Sequence, residues 1–174
     1  MKDYKGKVVD VERERVRLPD GSECELEVVR HPGGAAAVAL DERGRVCLLR
    51  QYRPVARDWL WELPAGRLEP GEGPEVTARR ELQEEAGVRA GSWQSLGYMW
   101  SSPGVFSEVI HLYLAQDLEL GKTDQEAHEL IQVHWLPLEQ ALADALTDKI
   151  TDAKTIVGLL RARHLLRLEE DSPL

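Results

Sequence analysis

GRLEPGEGPEVTARRELQEEAGV, running from Gly66 to Val88, is the stretch that decides how this chain is read. Pro74 suits a first helical turn and Gly87 suits a left-handed stop, so the spacing predicts a helix from about Pro74 to Ala86. Ala78, Leu82 and Ala86 recur at four-residue steps and give that helix one small apolar face. The other face is acidic. Glu81 and Glu85 stand one turn apart, Glu84 stands one turn from Glu81, and Glu69, Glu72 and Glu75 precede them. Like charges at this spacing repel. A solvated helix face is the ordinary reading of such a run. Stacked beside a tight glycine loop, however, the carboxylates gain stability only if a cation neutralises them. Hard oxygen ligands select Mg²⁺, Mn²⁺ or Ca²⁺, and Mg²⁺ characteristically bridges a few carboxylates to phosphates.

Working outward, Lys7 to Leu18 and Glu23 to Arg30 alternate β-branched with charged residues around the turn Pro19-Asp20-Gly21, which predicts a hairpin. Ala35 to Leu40 and Val46 to Leu49 flank Asp41-Glu42-Arg43-Gly44 and predict a second hairpin. A short strand from Trp59 to Leu63 runs into Pro64-Ala65-Gly66 and a Gly/Pro/Glu loop. Further strands are expected at Gln94 to Trp100, Val109 to Ala115 and Leu130 to Trp135, then helices near Leu138 to Leu146 and Asp152 to Leu168. This order describes an α+β or α/β sandwich with a mixed sheet between helical layers.

With 174 residues, 43% of them hydrophobic, a single globular domain spanning 1–174 is expected. The net charge of -9 argues against a nucleic-acid phosphate binder, but a divalent cation can still bring phosphate to an acidic protein. Cys24 and Cys47 form no zinc spacing and no disulfide framework, which suits a reducing cytoplasm. Neither a signal-peptide run nor a stretch of membrane-span length occurs, so no membrane partner is expected. His31, His111, His128, His134 and His164 lack metal spacing and are read as structural or surface residues; the five tryptophans are assigned no role.

The Gly66 to Val88 stretch resembles the Nudix box, G-x5-E-x7-R-E-U-x-E-E-x-G-U with U aliphatic, at Gly66, Glu72, Arg80, Glu81, Leu82, Glu84, Glu85, Gly87 and Val88. The resemblance implies a Nudix fold, an α/β/α sandwich with a mixed central sheet and an N-terminal antiparallel β-hairpin region. It also implies a loop-helix-loop metal site for Mg²⁺, with Mn²⁺ as a substitute. Glu81, Glu84 and Glu85 would ligate the metal, joined by the Ala65 carbonyl and Glu129, with Glu72 and Arg80 in support. The metals would polarise the diphosphate and lower the pKa of the attacking water.

Outside the box, LEVVRHPGGAAAV, RQYRP, ELPAG, SSPGVFSE and TDAKTIVGLL resemble bacterial ADP-ribose pyrophosphatases, including a proline at Pro103 fifteen residues past Val88. By that resemblance Arg53 would contact the nucleotide or its phosphates, Glu27 and Arg30 would border the base site, and Glu108 would reach the ribose side. In the loop TDQEAHELIQVHW, Glu126 is the candidate base, grouped with Glu84 and Arg80 as the catalytic set. Ala127-His128 interrupts the acidic run that relatives carry, so the register of this loop leaves the base open. The expected reaction is Mg²⁺-dependent hydrolysis of ADP-ribose to AMP and ribose 5-phosphate. A GDP-mannose hydrolase is the alternative, since SPGVFSEVIHLYLA and DAKT resemble that branch too, and a non-catalytic nucleotide-sugar sensor is the alternative of another class. The family precedent is a homodimer in which residues 1–33 embrace the partner.

Overall fold

The computed structural model describes residues 2–125 and 129–170. Its strands are β1 (Lys2–Lys5), β2 (Asp10–Arg17), β3 (Glu23–Arg30), β4 (Gly34–Ala39), β5 (Arg45–Arg53), β6 (Asp58–Glu62), β7 (Ala65–Arg67), β8 (Val88–Trp100), β9 (Val109–Leu120) and β10 (Ile131–Pro137). The helices are α1 (Pro74–Ala86), between β7 and β8, then α2 (Leu138–Ala145) and α3 (Ala153–Glu170). No helix among the described residues is long and apolar enough to cross a membrane.

The first hairpin forms as expected: β2 and β3 pair from Asp10↔Arg30 to Arg17↔Glu23. Its turn holds Gly21 at φ 85°, where an L side chain is strained, and the Asp20 carboxylate accepts the Ser22 N–H at 3.0 Å. With β1 this makes a three-stranded sheet, tied to the remaining fold at Val29, whose N–H donates to the Val105 carbonyl and whose carbonyl accepts from Ser107.

The second expected hairpin does not form. Between β4 and β5 the structure keeps a single bridge, Leu40↔Val46, and the two strands then enter different sheets. β4 lies between β7 and β9, parallel to β9, while β5 lies between β10 and β6. The reason lies in β4, GAAAVA, which is buried at every residue. Ala36 and Val38 join the core formed with α2 and α3, whereas Ala37 and Ala39 join the core formed with α1. β5 divides the same way, Val46 and Leu48 on one side and Cys47 and Leu49 on the other. Strands covered on both faces carry unbroken apolar runs, and such a run does not say which neighbour it pairs with. The result is the α/β/α sandwich with strands of mixed orientation. Beyond Leu40 and Val46 the strands part, and their far ends, Gly34-Ala35 and Gln51 to Arg53, become walls of one cavity.

β7 is a three-residue strand where a loop was expected, and it pairs Ala65 with Ala36. Cys24 and Cys47 are both free thiols, and burial pushes the Cys47 thiol up to about 12.

Gly158 brings α3 down onto the sheet. A Cβ at this position would stand 2.7 Å from Leu63 Cδ1 and 3.2 Å from Val38 Cγ2. Gly158→Val is expected to destabilise the fold by about 1–3 kcal/mol through overpacking, measured by urea unfolding.

Candidate active site

The cavity has a volume of about 490 Å³ and three walls. The acidic wall rests on α1. This helix begins at Pro74 and ends at Gly87, whose φ of 67° lets its N–H cap the Gln83 carbonyl at 2.9 Å. Ala78 and Leu82 anchor the opposite face in the core and turn the glutamates toward the cavity.

Arg80 organises those glutamates. Its Nε and Nη2 donate to the two oxygens of Glu72 at 3.0 and 3.1 Å, and its Nη1 donates to Glu81 at 2.7 Å and to Glu84 at 3.1 Å. The Glu72 carboxyl is accordingly held down at about 2, chiefly by Arg80. For Glu81, burial wins over Arg80 and pushes the carboxyl above its ordinary range. Glu85 is almost completely buried and accepts the Ala65 N–H at 2.8 Å. Burial, then the neighbouring Glu81 and Glu129, raise its carboxyl to about 8 against that one hydrogen bond.

Gly66 is where strand and helix meet. A Cβ there would lie 1.8 Å from Glu81 Oε1, so any side chain at this position displaces the carboxylate. The loop before β10 closes the same wall: the Asp124 N–H donates to the Glu84 carbonyl at 2.8 Å, and Gln125 Nε2 donates to the Glu85 carbonyl at 2.7 Å.

A divalent cation fits this wall by its donor chemistry. The ligands on offer are carboxylate oxygens, two of them poorly solvated, with no soft donor among them. Among the described residues no three acidic or imidazole side chains form a ready coordination sphere. The Arg80 guanidinium lies between Glu81 and Glu84 and supplies the positive charge there.

The second wall carries two cations, Arg53 and Lys154, each paired with a carboxylate. Glu62 is buried, and its two oxygens accept from Arg53 Nε at 2.6 Å and Nη2 at 2.7 Å. One of those oxygens also accepts from Lys154 Nζ at 2.5 Å. Lys154 donates in addition to Asp152 Oδ1 at 3.0 Å. The other Asp152 oxygen caps α3 by accepting the Thr155 N–H at 3.0 Å and its hydroxyl at 2.6 Å. Thr155 Oγ1 in turn accepts the Leu63 N–H at 2.8 Å. Together Arg53 and Lys154 overcome the burial of Glu62 and hold its carboxyl at about 2.

The third wall carries His31 and Glu108. His31 Nδ1 accepts the Gly33 N–H at 3.1 Å and lies 3.3 Å from Glu108 Oε1, with the Phe106 ring 5.2 Å away. Burial pushes the imidazole below its ordinary value, which keeps it neutral with Nδ1 as acceptor.

Of the residues singled out in the sequence, Arg53, Ala65, Arg80, Glu81, Glu84, Glu85, Glu108 and Glu129 all line this cavity. Glu27, Arg30 and Pro103, read from the resemblance as substrate-binding, do not line this cavity. Glu27 is exposed on β3 opposite Arg13, and the Arg30 guanidinium is engaged by Glu12 and Glu14 across the hairpin. Pro103 is exposed in the connection between β8 and β9. Glu126 lies outside the described residues. Sequence reading missed Glu62, Asp152 and Lys154 as members of the site, and it read His31 as merely structural. ELPAG and TDAKT were noticed, but nothing in their local pattern reveals that they meet.

The family profile described as NUDIX domain matches residues 30–157. An "ADP-ribose pyrophosphatase" of Bacillus subtilis (strain 168) is 37% identical over 158 residues, 90% of this chain and 85% of that protein. A "Methanol dehydrogenase activator" of Bacillus methanolicus is 37% identical over 172 residues, 96% of this chain and 89% of that one. Among solved structures, one described as "Crystal structure of ADP compounds hydrolase" superposes with a TM-score of 0.83 over 99% of this chain and 94% of its own, at 22% identity, a likeness of fold.

The two buried carboxylates set opposite pH dependences. Glu62, held at about 2 against an ordinary 4.5, stabilises the fold above about pH 4.5, and that contribution is lost as pH falls toward about 2. Glu85, raised to about 8 from 4.5, favours the fold while protonated, and that contribution is lost as pH rises through about 8. In chelator, wild-type protein is therefore expected to melt lower at about pH 9 than at about pH 6, and Glu85→Gln is expected to reduce that difference. Thermal melts across this range check it; an unchanged slope in the variant contradicts the assignment.

Proposed function

This chain belongs to the NUDIX family, and on that premise we propose that it hydrolyses ADP-ribose to AMP and ribose 5-phosphate with Mg²⁺ as the working cation. The protein is a pyrophosphohydrolase of nucleoside diphosphate sugars. The observation that carries the substrate class is the facing of two walls across one cavity: carboxylates from α1 on one side, Arg53 and Lys154 on the other. A diphosphate needs both, cations for its oxygens and carboxylates for the metal that accompanies it.

Glu81, Glu84 and Glu85, with Glu129 and the Ala65 carbonyl, would hold the cation. When bound, it supplies Lewis-acid neutralisation of the diphosphate charge. Arg80 orients Glu72, Glu81 and Glu84 by charge-assisted hydrogen bonds and holds the Glu72 carboxyl well below its ordinary range. The Ala65 N–H fixes the Glu85 carboxylate. A carboxylate from the 124–129 loop would take the proton of the attacking water, with Glu126 as the candidate. Arg53 stands across the cavity to receive phosphate oxygens, and Glu108 presents an acceptor suited to a ribose hydroxyl.

The same reading includes a cytoplasmic homodimer, one domain per chain, in which residues 1–33 embrace the partner. The exposed apolar Tyr4, Val8, Leu18 and Leu26 on that segment favour a covering surface. Hydrolysis of a GDP-sugar is a second reading, favoured by the Asp152 to Thr155 segment, which resembles the GDP-mannose hydrolase branch.

A panel of ADP-ribose, GDP-mannose and other nucleotide sugars assayed with Mg²⁺ is expected to give ADP-ribose the highest kcat/KM; a clear preference for GDP-mannose would contradict the proposed substrate. Glu85→Gln is expected to lower turnover by more than about 100-fold, in line with the loss of a group that stabilises transition-state charge. Unchanged phosphate-ester release would remove the catalytic assignment itself.

A further inference from the structure

The cationic wall has an unusual construction. Arg53 on β5 and Lys154 on α3 are 101 positions apart, yet both donate to the carboxylate of Glu62. The Glu62 side chain is 3% exposed, whereas the Arg53 side chain is 41% exposed. The anion therefore lies behind, and the guanidinium in front faces the cavity. The Arg53 Nε and Nη2 groups donate to Glu62, which leaves Nη1 outside the fork, and Arg53 lines the cavity.

A surface arginine next to an acidic wall would ordinarily swing toward the carboxylates of α1. Arg53 feels Glu85 through space but is bonded to Glu62 instead. The bidentate contact costs the guanidinium its rotational freedom, and the geometry of the fork makes the grip directional. Lys154 strengthens the arrangement from behind, and Thr155 and Asp152 lock the start of α3 to Leu63, the residue after Glu62.

Building on the proposed hydrolysis, we propose that Glu62 is a positioning residue: its buried carboxylate fixes Arg53, with Lys154 behind it, as a rigid cationic wall for the substrate diphosphate. It touches no substrate. It prevents Arg53 from collapsing onto the metal-binding carboxylates and so keeps the diphosphate site open. Because the wall grips the diphosphate in the ground state and the transition state alike, its loss falls on binding rather than on the chemical step.

Glu62→Gln keeps the shape of the side chain and one acceptor but removes the charge. It is expected to raise KM for ADP-ribose about tenfold while kcat changes less than about threefold. Calorimetric binding of ADP-ribose to the protein in chelator is expected to weaken by a similar factor, and Arg53→Lys, which cannot make the fork, is expected to reproduce both changes. Glu62→Asp, which restores the charge, is expected to recover part of the affinity. A Glu62→Gln protein that melts lower but keeps wild-type KM and wild-type affinity in chelator would overturn the role and leave Glu62 a structural ion pair. Wild-type protein that binds ADP-ribose yet turns over no nucleotide sugar would instead sink the proposed activity, while the loss of affinity in Glu62→Gln would still support the positioning role.

Discussion

Like charges within one turn of a helix repel, and the whole site is organised around holding three of them together. Glu81, Glu84 and Glu85 share a face of α1 that isolated helices would disfavour. The fold supplies what the helix lacks. Arg80 bridges Glu72, Glu81 and Glu84, the Ala65 N–H holds Glu85, and Gly66 leaves the space that the Glu81 carboxylate fills. β7 brings Ala65 and Gly66 under the helix, and β4 is small and doubly buried, with α1 and α3 packed on its two faces.

That arrangement also explains why the cavity lies where it does. β4 and β5 touch at Leu40 and Val46 and then leave for separate sheets, so the space between their far ends is not filled by a ladder. α1 closes one side of the gap and the start of α3 closes the other. The charges follow the same division, acidic from α1 and cationic from the β5, β6 and α3 junction. A strongly acidic chain thereby sets two cations across one cavity from a cluster of carboxylates.

How much of this was legible in the sequence depended on the range of the interaction. α1 was readable to its ends because Pro74 and Gly87 act locally, through a missing N–H and a left-handed φ. The order of strands and helices was readable for the same reason, and nine fixed residues between Gly66 and Val88 carried the family. The partnership of β4 was not, because a run buried on both faces fits a hairpin and a parallel pair equally well. Nor was the Glu62 to Lys154 contact, which joins residues 92 positions apart whose neighbours give no periodic signal. Glu27 and Arg30 were placed by resemblance alone, and neither lines the cavity of the single chain.

The central claim is that a divalent cation and a diphosphate meet between the α1 carboxylates and the Arg53 wall. A crystal structure with Mg²⁺ and a non-hydrolysable ADP-ribose analogue tests it most directly. The account predicts Mg²⁺ on oxygens of Glu81 and Glu85, with the diphosphate between that ion and an Arg53 still forked onto Glu62. A diphosphate seated elsewhere, or an ion bound away from α1 while Arg80 still bridges Glu81 and Glu84, would contradict it.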